Sequence, residues 1–283
     1  MSADRANELI EAGRGVEAIP LLRAASQGGD ADASHMLAIL TARGAWTPKD
    51  WPEAIRLLAL AAEQGSRAAQ TELGLTGPTG DLERLFAAPE PTRLCENPRV
   101  RRIDGFLSPE VCRHLIAQGR GRAEPAATLE QAETGARERR ISGHRTNSAH
   151  AVSLFAGGVV MALIAERIAR VLKVPTEVFE GPQIFHYDTG QEFQLHYDFI
   201  EGAANQRIAT FLVYLNNGFE GGETFFPHAD LKAKPCTGGA VYFANVGLDG
   251  APDPQSLHAG LAATSGEKWL LSQWVREAPY SGD

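Results

Sequence analysis

In the stretch FQLHYDFI, residues 193–200, His196 and Asp198 stand two positions apart. On a β-strand that spacing puts an imidazole and a carboxylate on one face, where together they can hold a divalent metal. The pattern is cheap, because 8 His and 12 Asp in 283 residues give about 0.3 such pairs by chance. A second copy, His228-Ala229-Asp230, does occur. It follows Pro227 and closes the run GGETFFP, so its expected setting is a turn, and we reject it as a ligand pair. Downstream, His258 in PQSLHAG lies 60 residues after Asp198. That gap holds about four strands with their turns, enough to cross a sandwich and return beside the first strand.

Two imidazoles and one carboxylate leave positions open on a metal. This suits a non-haem Fe(II) oxygenase, while a zinc hydrolase would accept the same donors. Lys268, ten residues after His258, separates the two. The intervening ATSG turn is expected to set His258 and Lys268 on adjacent strands, both facing inward. A lysine inside a barrel is costly unless an anion meets it. A dicarboxylate gripping the metal at one end and Lys268 at the other would remove that cost.

The elements that must position these residues fall into two halves. Residues 1–77 are Ala- and Leu-rich with helical periodicity, and they repeat. VEAIPLLRAASQGG at 16–29 aligns with PEAIRLLALAAEQG at 52–65, an offset of 36 residues, as in helical solenoids. The stretch KDWPEAIRLLALAAEQGSRAAQTELG resembles Sel-type relatives of tetratricopeptide repeats. Residues 78–98, with four prolines, read as a linker around a short helix. From 99 to 283 the pattern is α+β. A strand VRRIDGFL precedes a helix capped by Ser108-Pro109, and a second helix is expected at about 150–172. Short β runs follow to the end, among them EVFEGPQIFHYD, RIATFLVYLN, GGAVYFANV and EKWLLSQWVRE. Such runs suggest a sandwich or barrel with helices outside.

Bulk properties narrow the function classes. A net charge of −8 gives no basic field for nucleic acid or anionic membrane. The N-terminus MSADRANELIEAG lacks the apolar core of a secretory signal, and no stretch reaches the roughly 20 apolar residues of a membrane span. Three widely spaced cysteines form neither a zinc pattern nor a disulfide framework, so a reducing cytoplasm is the expected location.

QIFHYDTGQEFQLHYDF, RIATFLVYLNN, GGETFFP and SLHAGLAATSGEKWLLSQWVRE occur in that order. Together they resemble the catalytic domain of 2-oxoglutarate- and Fe(II)-dependent prolyl 4-hydroxylases, over about residues 100–277. The resemblance implies a double-stranded β-helix (jelly-roll) fold with packed helices, preceded by the small all-α segment. It implies Fe(II) held by His196, Asp198 and His258, with 2-oxoglutarate and O2 as co-substrates and ascorbate as a further cofactor. It carries the distal carboxylate of 2-oxoglutarate onto Lys268, with Tyr187 and Thr224 as hydrogen-bonding helpers. Substrate contacts fall on Arg207, Trp274 and Arg145, the last within ERRISGHRTNSAHAV. Phe193 stands where peptide-binding members often carry Tyr, which alters how a proline would be gripped. The implied reaction is hydroxylation of a prolyl residue in a protein or peptide, with release of succinate and CO2. Two alternatives stand beside it: hydroxylation of a free amino acid or other small molecule, and a non-catalytic adaptor carrying a decayed oxygenase domain.

Overall fold

The computed structural model describes residues 2–77, 81–131, 137–140 and 143–280. Ile141 and Ser142 of the ERRISGHRTNSAHAV segment, and residues 78–80 of the expected linker, lie outside them. The chain divides into two compact units, one of residues 1–87 with 153–174 and one of residues 88–152 with 175–283.

In the first unit, helices Gly15–Gln27 and Ala31–Arg43 are followed 36 residues later by Trp51–Glu63 and Arg67–Thr76. Each of the last three starts on a side-chain cap. Asp30, Asp50 and Ser66 accept backbone N–H groups that the helix itself cannot satisfy. Equivalent positions bury alike, with Ala18, Leu22, Ala54 and Leu58 all closed to solvent. Polar groups inside are paired: Ser26 meets Ser34, Ser34 donates to Gln64 Oε1, and the Gln64 amide returns to the Ser26 carbonyl.

Helix Gly158–Leu172 belongs to this unit, although the sequence boundaries assign its residues to the catalytic half. Its Val159, Ala162 and Leu163 join the same apolar core. Glu72 accepts the Val159 N–H at 2.6 Å and meets His35 Nε2 at 3.0 Å, an acidic cap where the helix dipole favours one. Gly158 is required there. Its φ is +61°, and a Cβ would sit 2.1 Å from the Glu72 carboxylate. The helix also starts later than its apolar pattern suggests. Residues Ser148–Ala151 pair with Gln183–Tyr187, so their backbone groups belong to a sheet ladder.

The second unit is a jelly roll. Its large sheet has eight antiparallel strands in the order Thr92–Cys95, Val100–Ile103, Ala240–Ala244, Arg207–Tyr214, Lys268–Arg276, Gln183–Tyr187, Ser148–Ala151 and Glu124–Pro125. The small sheet runs Leu231–Ala233, Thr224–Phe226, His258–Gly260, Phe193–His196. Every residue of Lys268–Arg276 is buried, as a central strand covered on both faces must be. Helix Pro109–Gly119 starts on the Ser108 cap, and Gly119 lies against Ile184 and Trp269 behind the large sheet. The expected linker supplies the edge strand Thr92–Cys95, and its short helix Leu82–Phe86 belongs to the first unit.

Candidate functional site

The small sheet brings the two histidines together. His258 and His196 are paired across neighbouring strands, with ring centroids 4.2 Å apart. Asp198 reaches them by a different route from the one its spacing suggests. The strand ends at His196 and Asp198 lies in a bend beyond it. The ladder stops because the partner strand begins only at His258, and Pro254–Ser256 before it is wound into a 3-10 turn. Even so, one ligand atom from each of the three residues lies within 4.8 Å of the others. Among the described residues this is the one group of three or more His, Cys, Asp or Glu side chains close enough to share a metal. His228 sits in a 3-10 turn and Asp230 follows it in the left-handed region, in keeping with their rejection.

The protonation pattern suits a cation. A carbonyl oxygen can only accept, so His196 Nδ1–H donates to Gln194 O at 2.7 Å and His258 Nδ1–H donates to Ser256 O at 2.9 Å. Both Nε2 atoms are left as lone-pair donors facing Asp198, at 3.7 and 3.6 Å from its oxygens. Burial, helped by the neighbouring His258, pushes the His196 imidazole down to about 3, so it is neutral at physiological pH. Burial alone would raise the Asp198 carboxyl, but His258, His196, Arg207 and the Thr210 hydroxyl outweigh it and hold the group ionised. Phe193 stacks on His196 at 3.5 Å, and Phe243 meets His258 edge-on at 4.5 Å, so both rings are fixed in place.

Lys268 faces this cluster from the opposite sheet. The ATSG segment does not set it on a strand adjacent to His258. Strand Ala263–Ser265 pairs with Glu220–Gly221, and the chain then crosses to the large sheet. Lys268 is fully buried, and its Nζ has no hydrogen-bond partner. Burial lowers its pKa to about 7, with Glu223 pulling weakly the other way. Its Nζ lies 4.5 Å from the centroid of the Tyr187 ring and 5.4 Å from that of Tyr214. His196, Asp198, His258, Lys268, Tyr187, Thr224, Phe193 and Trp274 all line one cavity, whose free space, with the solvent at its mouth, is about 370 Å³. Two imidazoles with Nε2 turned to a shared carboxylate, and an unpartnered amine across the cavity, fit a divalent metal together with a small dicarboxylate.

Thr224 Oγ1 lies 2.8 Å from the Tyr214 hydroxyl, which also accepts the Thr224 N–H and donates to Ala233 O. Sequence reasoning missed Tyr214; its cue was the YLN end of RIATFLVYLN. Tyr187 pairs directly with Lys268 and has its hydroxyl beside Gly260. Arg207 is spoken for, bidentate to Glu180 at 2.5 and 2.8 Å and stacked on Trp274 at 3.9 Å. Arg276 meets the same Glu180 carboxylate at 2.7 Å. Arg145 is buried, donates to Asn147 Oδ1 and lies between the Phe185 and Phe193 rings. Neither arginine projects freely from a groove. Thr210, which bonds Asp198, and Asn245 behind it carried no signal separable from ordinary strand residues.

The sequence profile described as "2OG-Fe(II) oxygenase superfamily" matches residues 182–276. Prolyl 4-hydroxylase 1 of Arabidopsis thaliana is 34% identical over 204 residues, covering 64% of this chain and 70% of that protein. Probable prolyl 4-hydroxylase 6 of the same plant is 32% identical over 212 residues, covering 66% and 73%. Among solved structures, the viral collagen prolyl hydroxylase of Paramecium Bursaria Chlorella virus-1, in complex with 2OG, superposes with a TM-score of 0.50. The two share 27% identity over 65% of this chain and 99% of the viral one. Similarity of that extent and identity makes this chain an enzyme of the prolyl 4-hydroxylase family, within the dioxygenases that use Fe(II), 2-oxoglutarate and O2.

Proposed function

We propose that the protein hydroxylates a prolyl residue in a protein or peptide and releases succinate and CO2. The observation that carries this reading is Lys268: a fully buried amine without a partner, in the same cavity as His196, Asp198 and His258. In it, the two Nε2 atoms and the Asp198 carboxylate would hold Fe(II), and Lys268 would meet the far carboxylate of 2-oxoglutarate. Tyr187 and Thr224 flank that carboxylate as hydrogen-bonding partners. When bound with its co-substrates, the iron supplies the oxidising power that replaces a C–H bond by C–OH. The chain's residues do the rest by placement. Phe185, Phe193 and Trp274 give the cavity an apolar wall that admits a pyrrolidine ring and excludes water. Arg207 holds the Trp274 indole from behind through its stack, with Glu180 fixing the guanidinium. Arg145 does the same for Phe193.

Relatives named as prolyl 4-hydroxylases, and a structural neighbour named as a collagen prolyl hydroxylase, support peptidyl proline as the substrate. Ascorbate as a further cofactor, protein recognition by the helical repeats of residues 1–77 and a cytoplasmic location extend the same reading. The test is incubation of the purified protein with Fe(II), 2-oxoglutarate and a panel of proline-rich peptides. Succinate release should rise with a responsive peptide, which should gain 16 Da at a proline. A gain confined to free proline or another small molecule would move the substrate class. Absence of any 2-oxoglutarate turnover with Fe(II) present would overturn the assignment.

A further inference from the structure

His196 and His258 are each oriented by a carbonyl two residues earlier in the chain. Asp198, in its bend, is held by a side chain from the opposite sheet. Thr210 Oγ1 donates to Asp198 Oδ2 at 2.6 Å, and Asn245 Nδ2 donates to Thr210 Oγ1 at 3.0 Å. Both relay residues are closed to solvent. Proton counting fixes the polarity of the chain. A carboxylate that holds a cation is ionised and only accepts. The single hydroxyl proton of Thr210 therefore goes to Asp198, and its oxygen must accept from Asn245. This obliges Asn245 to present its NH2 group, which leaves Asn245 Oδ1 buried without a partner. Turning the amide round would satisfy that oxygen only by taking the proton from Asp198. The orientation that orphans an acceptor is the one that serves the carboxylate.

We propose that Thr210 and Asn245 are positioning residues that set the plane of the Asp198 carboxylate between the two imidazoles before metal binds. The proposal rests on the metal-dependent reading above. The last torsion of an aspartate is soft, so an untethered carboxylate would sample many orientations. With Oδ2 tied to Thr210, Oδ1 faces His196 Nε2 and Oδ2 faces His258 Nε2, at 3.7 and 3.6 Å. Partners of this kind behind a metal ligand are typically worth about 10–100-fold in metal affinity.

The experiment is calorimetric titration of Mn(II) into the full-length metal-free protein, with unfolding curves and 2-oxoglutarate turnover recorded in parallel. Thr210→Val keeps the shape and removes the proton, and should weaken Mn(II) binding by about 10–100-fold. Thr210→Ser keeps the hydroxyl and should restore wild-type affinity, which a role in packing alone would not predict. Asn245→Ala should weaken binding by a smaller factor, since Thr210 remains but loses its orienting donor. Wild-type affinity in Thr210→Val, or equal losses in the Ser and Val variants, would overturn the relay. If Thr210→Val does not fold, unchanged affinity in Asn245→Ala overturns it and weakened affinity supports it. A wild-type protein that binds no Mn(II) would instead sink the metal-dependent reading on which the relay depends.

Discussion

Each unit buries a charged side chain, and the two are treated in opposite ways. Glu72 in the helical unit is enclosed with both oxygens engaged, one by the Val159 N–H and the other by His35. Lys268 in the jelly roll is enclosed with nothing to bond. A satisfied buried charge is architecture, because its desolvation is offset by partners within the fold. An unsatisfied one in a cavity beside His196, Asp198 and His258 is what an anionic ligand would complete. The contrast separates what holds this protein together from what it is for.

The sharpest way to break the comparison is at the ligands. His196→Ala or Asp198→Ala removes one of three metal-binding groups, and succinate production should fall below detection while the unfolding midpoint changes little. Full turnover in either variant would remove the site. Lys268→Met keeps the length of the side chain and removes its charge. The 2-oxoglutarate concentration for half-saturation should rise about 10–100-fold, the size of a lost charge-assisted hydrogen bond, with Mn(II) affinity unchanged. An unaltered co-substrate titration would show that Lys268 has no anionic partner.

Glu72→Ala tests the other side. It orphans the Val159 N–H and His35, and should cost about 1–3 kcal/mol in a urea unfolding experiment without raising the 2-oxoglutarate requirement. The smallest effect is a pH dependence. Lys268 has a pKa near 7 in the free protein, and a bound carboxylate favours its charged form, raising that value. Below pH 7 the amine is already protonated and affinity is at its maximum. Above pH 7 binding must take up a proton, so 2-oxoglutarate affinity should fall by up to about tenfold per pH unit. Calorimetry in two buffers of different ionisation enthalpy would show proton uptake at pH 8 and little at pH 6.

The parts of the site that were legible in the sequence share a cause. His196, Asp198 and His258 are side chains able to bind a metal within runs otherwise typical of strands, and Lys268 is a charge opening the apolar run KWLL. What was hidden depends on pairs far apart in the chain. Glu180 is 27 residues from Arg207 and engages it with both oxygens, an ion pair that nothing beside Arg207 in the sequence announces. Thr210 looks like any β-branched strand residue until Asp198 is seen bonded to it. A helix was expected at about 150–172, but neither its later start at Gly158 nor its membership of the first unit. Periodicity states that a face is buried and is silent on what buries it.

That membership bears on how the protein could be cut. Strands Ser148–Ala151 and Gln183–Tyr187 are immediate neighbours, and Val152 N–H still bonds Pro182 O at 3.0 Å where the chain departs and returns. Residues 153–181 therefore form an excursion between neighbouring strands, of which 153–174 packs in the first unit. Trimming only the N-terminal helices would strip the apolar face of the excursion and invite aggregation. A trimmed oxygenase would have to lose both pieces yet keep residues 175–182, whose Glu180 anchors Arg207 and Arg276.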